Sequence, residues 1–272
     1  MVSPESSLGS ATAALERLSP RGRVTVAVGL YLCWTLATWA LEGRLLTLQR
    51  PAATGDRLVY TGVANVLIGT LVALWIVRAF VASSAVSRTR LGLRSAHHTL
   101  LASVGGAAAG IALYLGQGAP TTDPVVLANA FAQVLPVSVA EIVVCWILVG
   151  GSVEAAVRGP IPDGTARAVA LVVASVCFGM YHFAHSPPFN AIGTVALLTV
   201  VSLGTGLWFF LGRSAYGALA FHNFLALFGV TAALAETGRL TAYRDPIVPL
   251  LLTGLVAFLV FAVTERLGIR DT

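Results

Sequence analysis

The chain has 272 residues, of which 57% are hydrophobic and only 11% are charged. Soluble domains carry about 25% charged residues, so this composition excludes an ordinary soluble protein and indicates an integral membrane protein. The formal net charge is +5, but the arginines lie at the ends of apolar segments, where they act as topology signals and headgroup anchors. We therefore expect these residues to contact the lipid bilayer and not nucleic acid.

Apolar segments long enough to cross a membrane recur along the whole chain. A spanning helix needs roughly 20 apolar residues. Eight segments meet this requirement: about 24–41, 58–82, 98–116, 124–150, 166–186, 190–211, 214–234 and 246–266. We predict an all-α, polytopic integral membrane protein with about eight transmembrane helices. Residues 1–22 form an N-terminal cytoplasmic tail, and residues 23–272 form a single transmembrane domain.

The arginines also predict the orientation of the chain in the membrane. Eight spans put both termini on one side, and twelve of the 17 basic residues lie on that side. The other five are Arg44, Arg50, Arg57, Arg239 and Arg244. Because cytoplasmic loops carry an excess of basic residues, we predict a multi-pass protein of the cell membrane with both termini in the cytoplasm.

Small residues within the third predicted span indicate a close contact between helices. Gly106 and Gly110 are four residues apart and therefore share one face of a helix. Small residues at this spacing let two helix backbones approach each other in a membrane. We interpret this pair as a packing site rather than a functional one.

Carboxylates near or within the apolar segments are the first candidates for a functional site, because ionisable residues at membrane depth are costly. Glu154 and Arg158 are four residues apart, so they share a helix face and can pair. One interpretation is a helix-end ion pair whose arginine reaches the headgroups. The other is a carboxylate held charged at the mouth of a polar cavity, where it can activate water. Glu141 is either a second functional carboxylate or a partner of Arg78.

Two histidines of the fifth predicted span form the next candidate group. Phe178, His182 and His185 follow the i, i+4, i+7 spacing of one helix face. His182 lies inside an apolar run, where a histidine can bind metal, carry protons or form a structural hydrogen bond. His185 precedes Ser186-Pro187-Pro188, where the helix must stop. We therefore expect His185 to be an end residue at the membrane interface.

A third histidine is embedded more deeply than the others. His222 lies between apolar residues on both sides within the seventh predicted span. Its neighbour Asn223 points about 100° away around the helix. One of these two side chains must therefore find a partner outside a shared cavity.

The order and spacing of these groups resemble the CAAX protease and bacteriocin-processing family, known as CPBP or Abi. Its patterns are Glu-Glu-x-x-x-Arg, then Phe-x-x-x-His, then a His followed four residues later by Asn or Asp. The segment 153–159 looks like the first pattern, Phe178 to His182 matches the second, and His222 stands at the third. The resemblance covers residues of about 145–230, within a core at about 124–234. Val153 replaces the first Glu, and Ala226 replaces the Asn or Asp.

The resemblance implies an all-helical membrane domain, commonly of eight spans, and an intramembrane endopeptidase. Such an enzyme hydrolyses a peptide bond of a membrane-associated peptide or protein with water activated by glutamate and histidine. Carried over to this sequence, Glu154 would supply the carboxylate and Arg158 would brace it. His182 would position the water, and His222 would stabilise the oxyanion. We expect no cofactor and no bound metal for this activity.

Two alternatives stay open at this point. A catalytically inactive relative would bind a membrane peptide or partner, as in bacteriocin immunity, and its histidines would be structural. A metal-dependent hydrolase or transporter would use His182, His185, His222 and Glu154 as ligands, since three histidines and a carboxylate suit zinc.

Overall fold

The computed structural model describes residues 4–44 and 53–269, with side chains from residue 9 onward. Within these ranges the chain is helical and contains no strand. The helices are α1 Pro4–Glu16, α2 Pro20–Gly43, α3 Thr54–Ala82, α4 Ala96–Gly116, α5 Pro124–Val157, α6 Asp163–Ala184, α7 Ile192–Gly212, α8 Ala215–Glu236 and α9 Val248–Ile269. The eight helices from α2 to α9 are each long and apolar enough to span a membrane. The predicted all-α, polytopic architecture with about eight spans is confirmed.

The predicted N-terminal tail contains the short helix α1, which is followed closely by α2. Leu15 and Leu18 are partly buried and pack against the main core of the bundle. Ser19 caps α2 by accepting a hydrogen bond from the backbone N–H of Gly22 at 3.2 Å, and Pro20 occupies the first helical position. Both features are typical of helix N-termini. The end of the tail is thereby tied to the bundle.

Helix α5 is the central element of the bundle. All nine residues of its π-helical stretch Ile142–Gly150 are buried. A helix that is apolar on all sides belongs in the interior, and close neighbours surround it: Gly150, for example, lies against Phe210 and Ala174. The helix continues through Pro136 and the Gly150–Gly151 pair to Val157, beyond the span predicted to end near residue 150.

Helices α4 and α8 pack closely through their glycines, as predicted. A Cβ atom on Gly106 would overlap the carbonyl oxygen of Gly217, and one on Gly110 would press against the Phe224 side chain. Backbones approach this closely only where side chains are absent. The contact fixes α8, which carries His222, against the rest of the bundle.

The helix connections define two faces of the protein. The termini face contains the connections at 17–19, 83–95, 158–162 and 213–214. The distal face contains the described connections at 117–123, 185–191 and 237–247. The even number of spans places both ends of the described chain on the termini face, as predicted.

Candidate functional site

A cavity of about 420 Å³ opens between α5, α6, α7 and α8. Its ionisable lining residues are Glu42, Arg57, Tyr60, Glu141, His182, His185, His222 and Glu236. At its rim, Gln117, Pro188 and Glu236 are exposed and lie at or beside the distal-face connections. Inward, the cavity extends to Thr205 and His222 in the middle of α7 and α8. It therefore opens on the distal face and ends deep within the bundle.

Glu141 lies at the inner end of this cavity and is held by His222. Its Oε2 atom lies 2.8 Å from His222 Nε2, and both side chains are almost completely buried. The other ring nitrogen of His222, Nδ1, lies 3.1 Å from Thr205 Oγ1. A neutral His222 then donates Nε2–H to the carboxylate and accepts the hydroxyl hydrogen of Thr205. The chain Thr205–His222–Glu141 fixes the carboxylate and leaves its second oxygen directed elsewhere.

That second oxygen faces His182. Glu141 Oε1 lies 3.8 Å from His182 Nε2. The Nδ1 atom of His182 lies 2.9 Å from the Phe178 carbonyl oxygen, one helical turn earlier. A carbonyl oxygen only accepts hydrogen bonds, so His182 donates from Nδ1, and in its neutral form its Nε2 carries a lone pair. A carboxylate oxygen and an imidazole lone pair thus face the same small space.

Two further residues join the site at the end of α6 and α2. His185 Nδ1 lies 3.2 Å from Glu42 Oε2. The backbone N–H of Ser186 donates to the same oxygen at 2.8 Å, and the Ser186 hydroxyl donates to Glu42 Oε1. His185 is an end residue, as predicted, because it caps the 3₁₀ turn His182–Ala184. Its ring nevertheless lines the cavity, which the sequence did not predict.

Aromatic packing holds the end of α6 in place. Tyr181 stacks on Trp34 with ring centroids 3.7 Å apart. Its hydroxyl lies 3.1 Å from Thr38 Oγ1 and 3.4 Å from Tyr60 Oη. These contacts join the end of α6, next to His182, to α2 and α3. The ring of His182 is thereby presented to the cavity from a fixed backbone.

Glu154 is not part of this cavity. It lies near the termini face, where Oε1 accepts from Arg158 at 2.8 Å and from Arg213 at 2.6 Å, and Oε2 accepts from Arg213 at 2.8 Å. Arg213 also donates to the carbonyl of Arg90 at 2.9 Å. These bonds tie the end of α5 to two connections of the termini face. The expected association of Glu154 and Arg158 with His182 and His222 is corrected: the structure shows the helix-end ion pair.

Glu141, the other carboxylate of α5, lies in the cavity where Glu154 was expected. Arg78 is exposed on α3, and the hydrogen-bond partner of Glu141 is His222 instead. Asn223 donates to the Phe131 carbonyl at 3.4 Å and does not line the cavity. The prediction that His222 and Asn223 have separate surroundings is confirmed.

The arrangement combines acidic and basic groups in mainly apolar surroundings. Glu141 and Glu42 each contact a histidine, and near neutral pH an imidazole can accept a proton and its protonated form can donate one. Sequence reasoning missed Glu42 altogether. The signal was a single carboxylate in the last turn of a long apolar segment, at the depth of the histidines of α6. The three-residue set Glu141, His182 and His185 also has the composition of a metal site.

Comparisons with protein-family models, with curated proteins and with solved structures find no match to this chain.

Proposed function

We propose that the protein is an intramembrane endopeptidase that hydrolyses a peptide bond of a membrane-associated peptide or protein. The observation that carries this proposal is the convergence of Glu141, His182 and His222 in one cavity. The order of the histidine motifs, which resembles that of the CPBP family, supports it further. The carboxylate of the proposed site is Glu141 rather than Glu154.

The geometry accommodates an attacking water between the carboxylate and the imidazole. Glu141 Oε1 and His182 Nε2 lie 3.8 Å apart. A water that donates to both acceptors at a normal distance of about 2.8 Å fits such a separation. Both groups accept hydrogen bonds in their neutral-pH forms. The water is then oriented with its oxygen lone pairs toward the open part of the cavity.

Hydrolysis follows from this arrangement by proton transfer. Glu141 takes a proton from the water as the oxygen adds to the carbonyl carbon, and the proton passes to the amine nitrogen as the C–N bond breaks. His222 keeps the carboxylate in position through its 2.8 Å hydrogen bond. The buried surroundings strengthen these polar interactions, because little water competes with them.

The position of the cavity opening indicates the side of the membrane from which a substrate would enter. Leu197 and Val201 of α7 line the cavity and are 61% and 36% exposed, so its wall extends to the lipid-facing surface. The arginine excess on the termini face favours a cytoplasmic position for that face. The substrate would then enter from the opposite leaflet of the cell membrane, with a peptide segment passing between lipid and cavity.

A non-catalytic peptide-binding protein is the second candidate. Ala226 lines the cavity where the family resemblance leads one to expect Asn or Asp. The Glu–Arg motif at 154–158 forms a structural ion pair. Under this alternative the cavity binds a membrane peptide, and His182 and His222 serve as hydrogen-bonding groups.

The two candidates are separated by comparing membrane peptides from cells that carry the wild type, His182→Ala or His97→Ala. His97 is exposed in the first turn of α4 and does not line the cavity. Its replacement therefore controls for the loss of an imidazole. We expect cleavage products that are present with the wild type and His97→Ala and absent with His182→Ala at equal protein level. Identical peptide sets in all three strains would overturn the endopeptidase proposal.

A further inference from the structure

We propose that the cavity binds one zinc ion through Glu141, His182 and His185. One donor atom of each residue lies within 4.8 Å of the donor atoms of the other two. Two imidazole nitrogens, one carboxylate oxygen and a water form a common set of ligands for hydrolytic zinc. The set differs from the one expected from the sequence, because His185 belongs to it and Glu154 does not.

The orientation of both histidine rings favours a metal ligand at Nε2. His182 donates Nδ1–H to the Phe178 carbonyl at 2.9 Å, and His185 directs Nδ1 at Glu42 Oε2, 3.2 Å away. In the neutral form, which a metal ligand requires, each ring therefore has its Nε2 lone pair available. The Nε2 atom of His185 is buried and has no hydrogen-bond partner among the described residues. A buried polar atom without a partner is costly, and a metal ion would satisfy it.

The surroundings supply the supporting contacts that metal ligands require. Ligating histidines almost always donate their second ring N–H to a carbonyl or carboxylate, and ligating carboxylates accept further hydrogen bonds. Phe178 provides the carbonyl for His182, and Glu42 provides the carboxylate for His185. His222 holds the other oxygen of Glu141. Each of the three proposed ligands thus has an outer partner.

The distances require only a small adjustment on metal binding. Zinc binds histidine nitrogen at about 2.0–2.1 Å, so tetrahedral ligand atoms lie roughly 3.3–3.5 Å apart. Glu141 Oε1 and His182 Nε2 are already 3.8 Å apart. A side-chain shift of about 1 Å closes the widest separation in the set. Nitrogen-rich ligand sets favour zinc over magnesium or calcium, which prefer oxygen.

A zinc ion at this position would acidify a bound water at neutral pH. In this respect the inference rests on the proposed peptide hydrolysis: with the ion bound, Glu141 would hold the metal, and the metal would supply the activation of water that Glu141 supplies as a base in the metal-free site. The binding of the ion does not depend on that activity. Metal content and cleavage can therefore be measured independently.

The test measures zinc per chain in the purified full-length protein, together with the visible absorption of Co²⁺ added in its place. We expect one zinc per chain for the wild type and for His97→Ala. His185→Ala should lose stoichiometric zinc and the absorption of tetrahedral Co²⁺. Glu42→Gln, which keeps all three ligands, should bind zinc about 10–100-fold more weakly. It also serves as the informative variant if His185→Ala does not fold.

Zinc that is absent from the wild type, or that is bound equally by the wild type and His185→Ala, would overturn the metal site. Cleavage that continues after complete removal of metal would overturn a role of the ion in hydrolysis and would leave the endopeptidase intact. Stoichiometric zinc lost in His185→Ala, without any cleavage product, would support the metal site and contradict the endopeptidase.

Discussion

Two buried carboxylates on one helix, Glu141 and Glu154, have different partners and different surroundings. Glu141 and Glu154 lie thirteen residues apart on α5, about 20 Å along the axis, and are 3% and 2% exposed. Glu141 contacts histidines inside a cavity, whereas Glu154 contacts two arginines beside the termini face. The comparison shows that burial of a carboxylate in a membrane segment does not identify its role; its partners do.

The chemical difference lies in whether the partners can exchange protons. Arginine stays protonated under all physiological conditions, so the two guanidinium groups remain charged partners of Glu154. Neutral histidine can accept and release protons near pH 7, so Glu141 has partners suited to proton transfer. The arginine site is expected to stabilise the fold, and the histidine site to carry the chemistry.

The largest expected effect on stability belongs to Glu154→Gln. Removing this charge leaves Arg213 without its carboxylate and leaves Arg158 with only the exposed Asp163, 3.2 Å away. Breaking a buried ion pair costs about 3–5 kcal/mol. The unfolding midpoint in detergent should fall accordingly. Glu141→Gln is the matched control, because glutamine can still accept from His222 and should cost about 1 kcal/mol or less. Equal destabilisation by both variants would erase the distinction between the two sites.

The next effect concerns activity in the cavity. His222→Ala removes the group that holds Glu141, and a misplaced catalytic group can cost about 100-fold in rate. Cleavage should fall by that factor while the variant remains folded. Asn223→Ala changes the adjacent residue, which does not line the cavity, and should leave the rate per folded molecule unchanged. A stronger loss of activity in Asn223→Ala than in His222→Ala would show that the face of α8 that carries Asn223 belongs to the site, and not the face that carries His222.

A smaller effect distinguishes the two arginines. Arg213 donates two hydrogen bonds to Glu154 and one to the Arg90 carbonyl. Arg158 donates one to Glu154, and its other carboxylate partner, Asp163, is exposed and adds little. Arg213→Met should therefore destabilise the protein by about 1.5 kcal/mol more than Arg158→Met, near the lower value for a hydrogen bond to a charged group because both side chains are partly exposed. Unfolding midpoints of the single variants and of each combination with Glu154→Gln provide the test. Equal losses would mean that the second bond of Arg213 adds nothing.

The fold was largely predictable because the local composition of the sequence indicates where a chain spans the membrane. Long apolar runs fix the number of helices, and the glycine spacing at Gly106 and Gly110 correctly predicted a close contact. The end of α5 was placed too early, since Gly150 and Gly151 are often found at bends but are tolerated inside a packed membrane helix. Helix boundaries of this kind depend on neighbours that local sequence does not reveal.

The candidate site was only partly predictable. His182 and His222 were found because histidines deep in apolar runs are conspicuous. The sequence motif favours Glu154 over Glu141 as the carboxylate of the site. The contact of Glu141 with His222 spans 81 positions of the chain and depends on how α5 and α8 pack. Glu42 was missed because a carboxylate at the end of a span is not costly by itself.

The most direct test of the account is the cleavage rate of wild type, Glu141→Gln and Glu154→Gln in liposomes. The substrate is a peptide whose cleavage requires His182 in the membrane comparison, and each rate is divided by the amount of folded protein. We predict that Glu141→Gln lowers the rate by about 10²–10⁴-fold, as expected for loss of a general base, and that Glu154→Gln leaves it within about twofold. A full rate in Glu141→Gln, or a selective loss in Glu154→Gln, would contradict the assignment of Glu141 as the catalytic carboxylate.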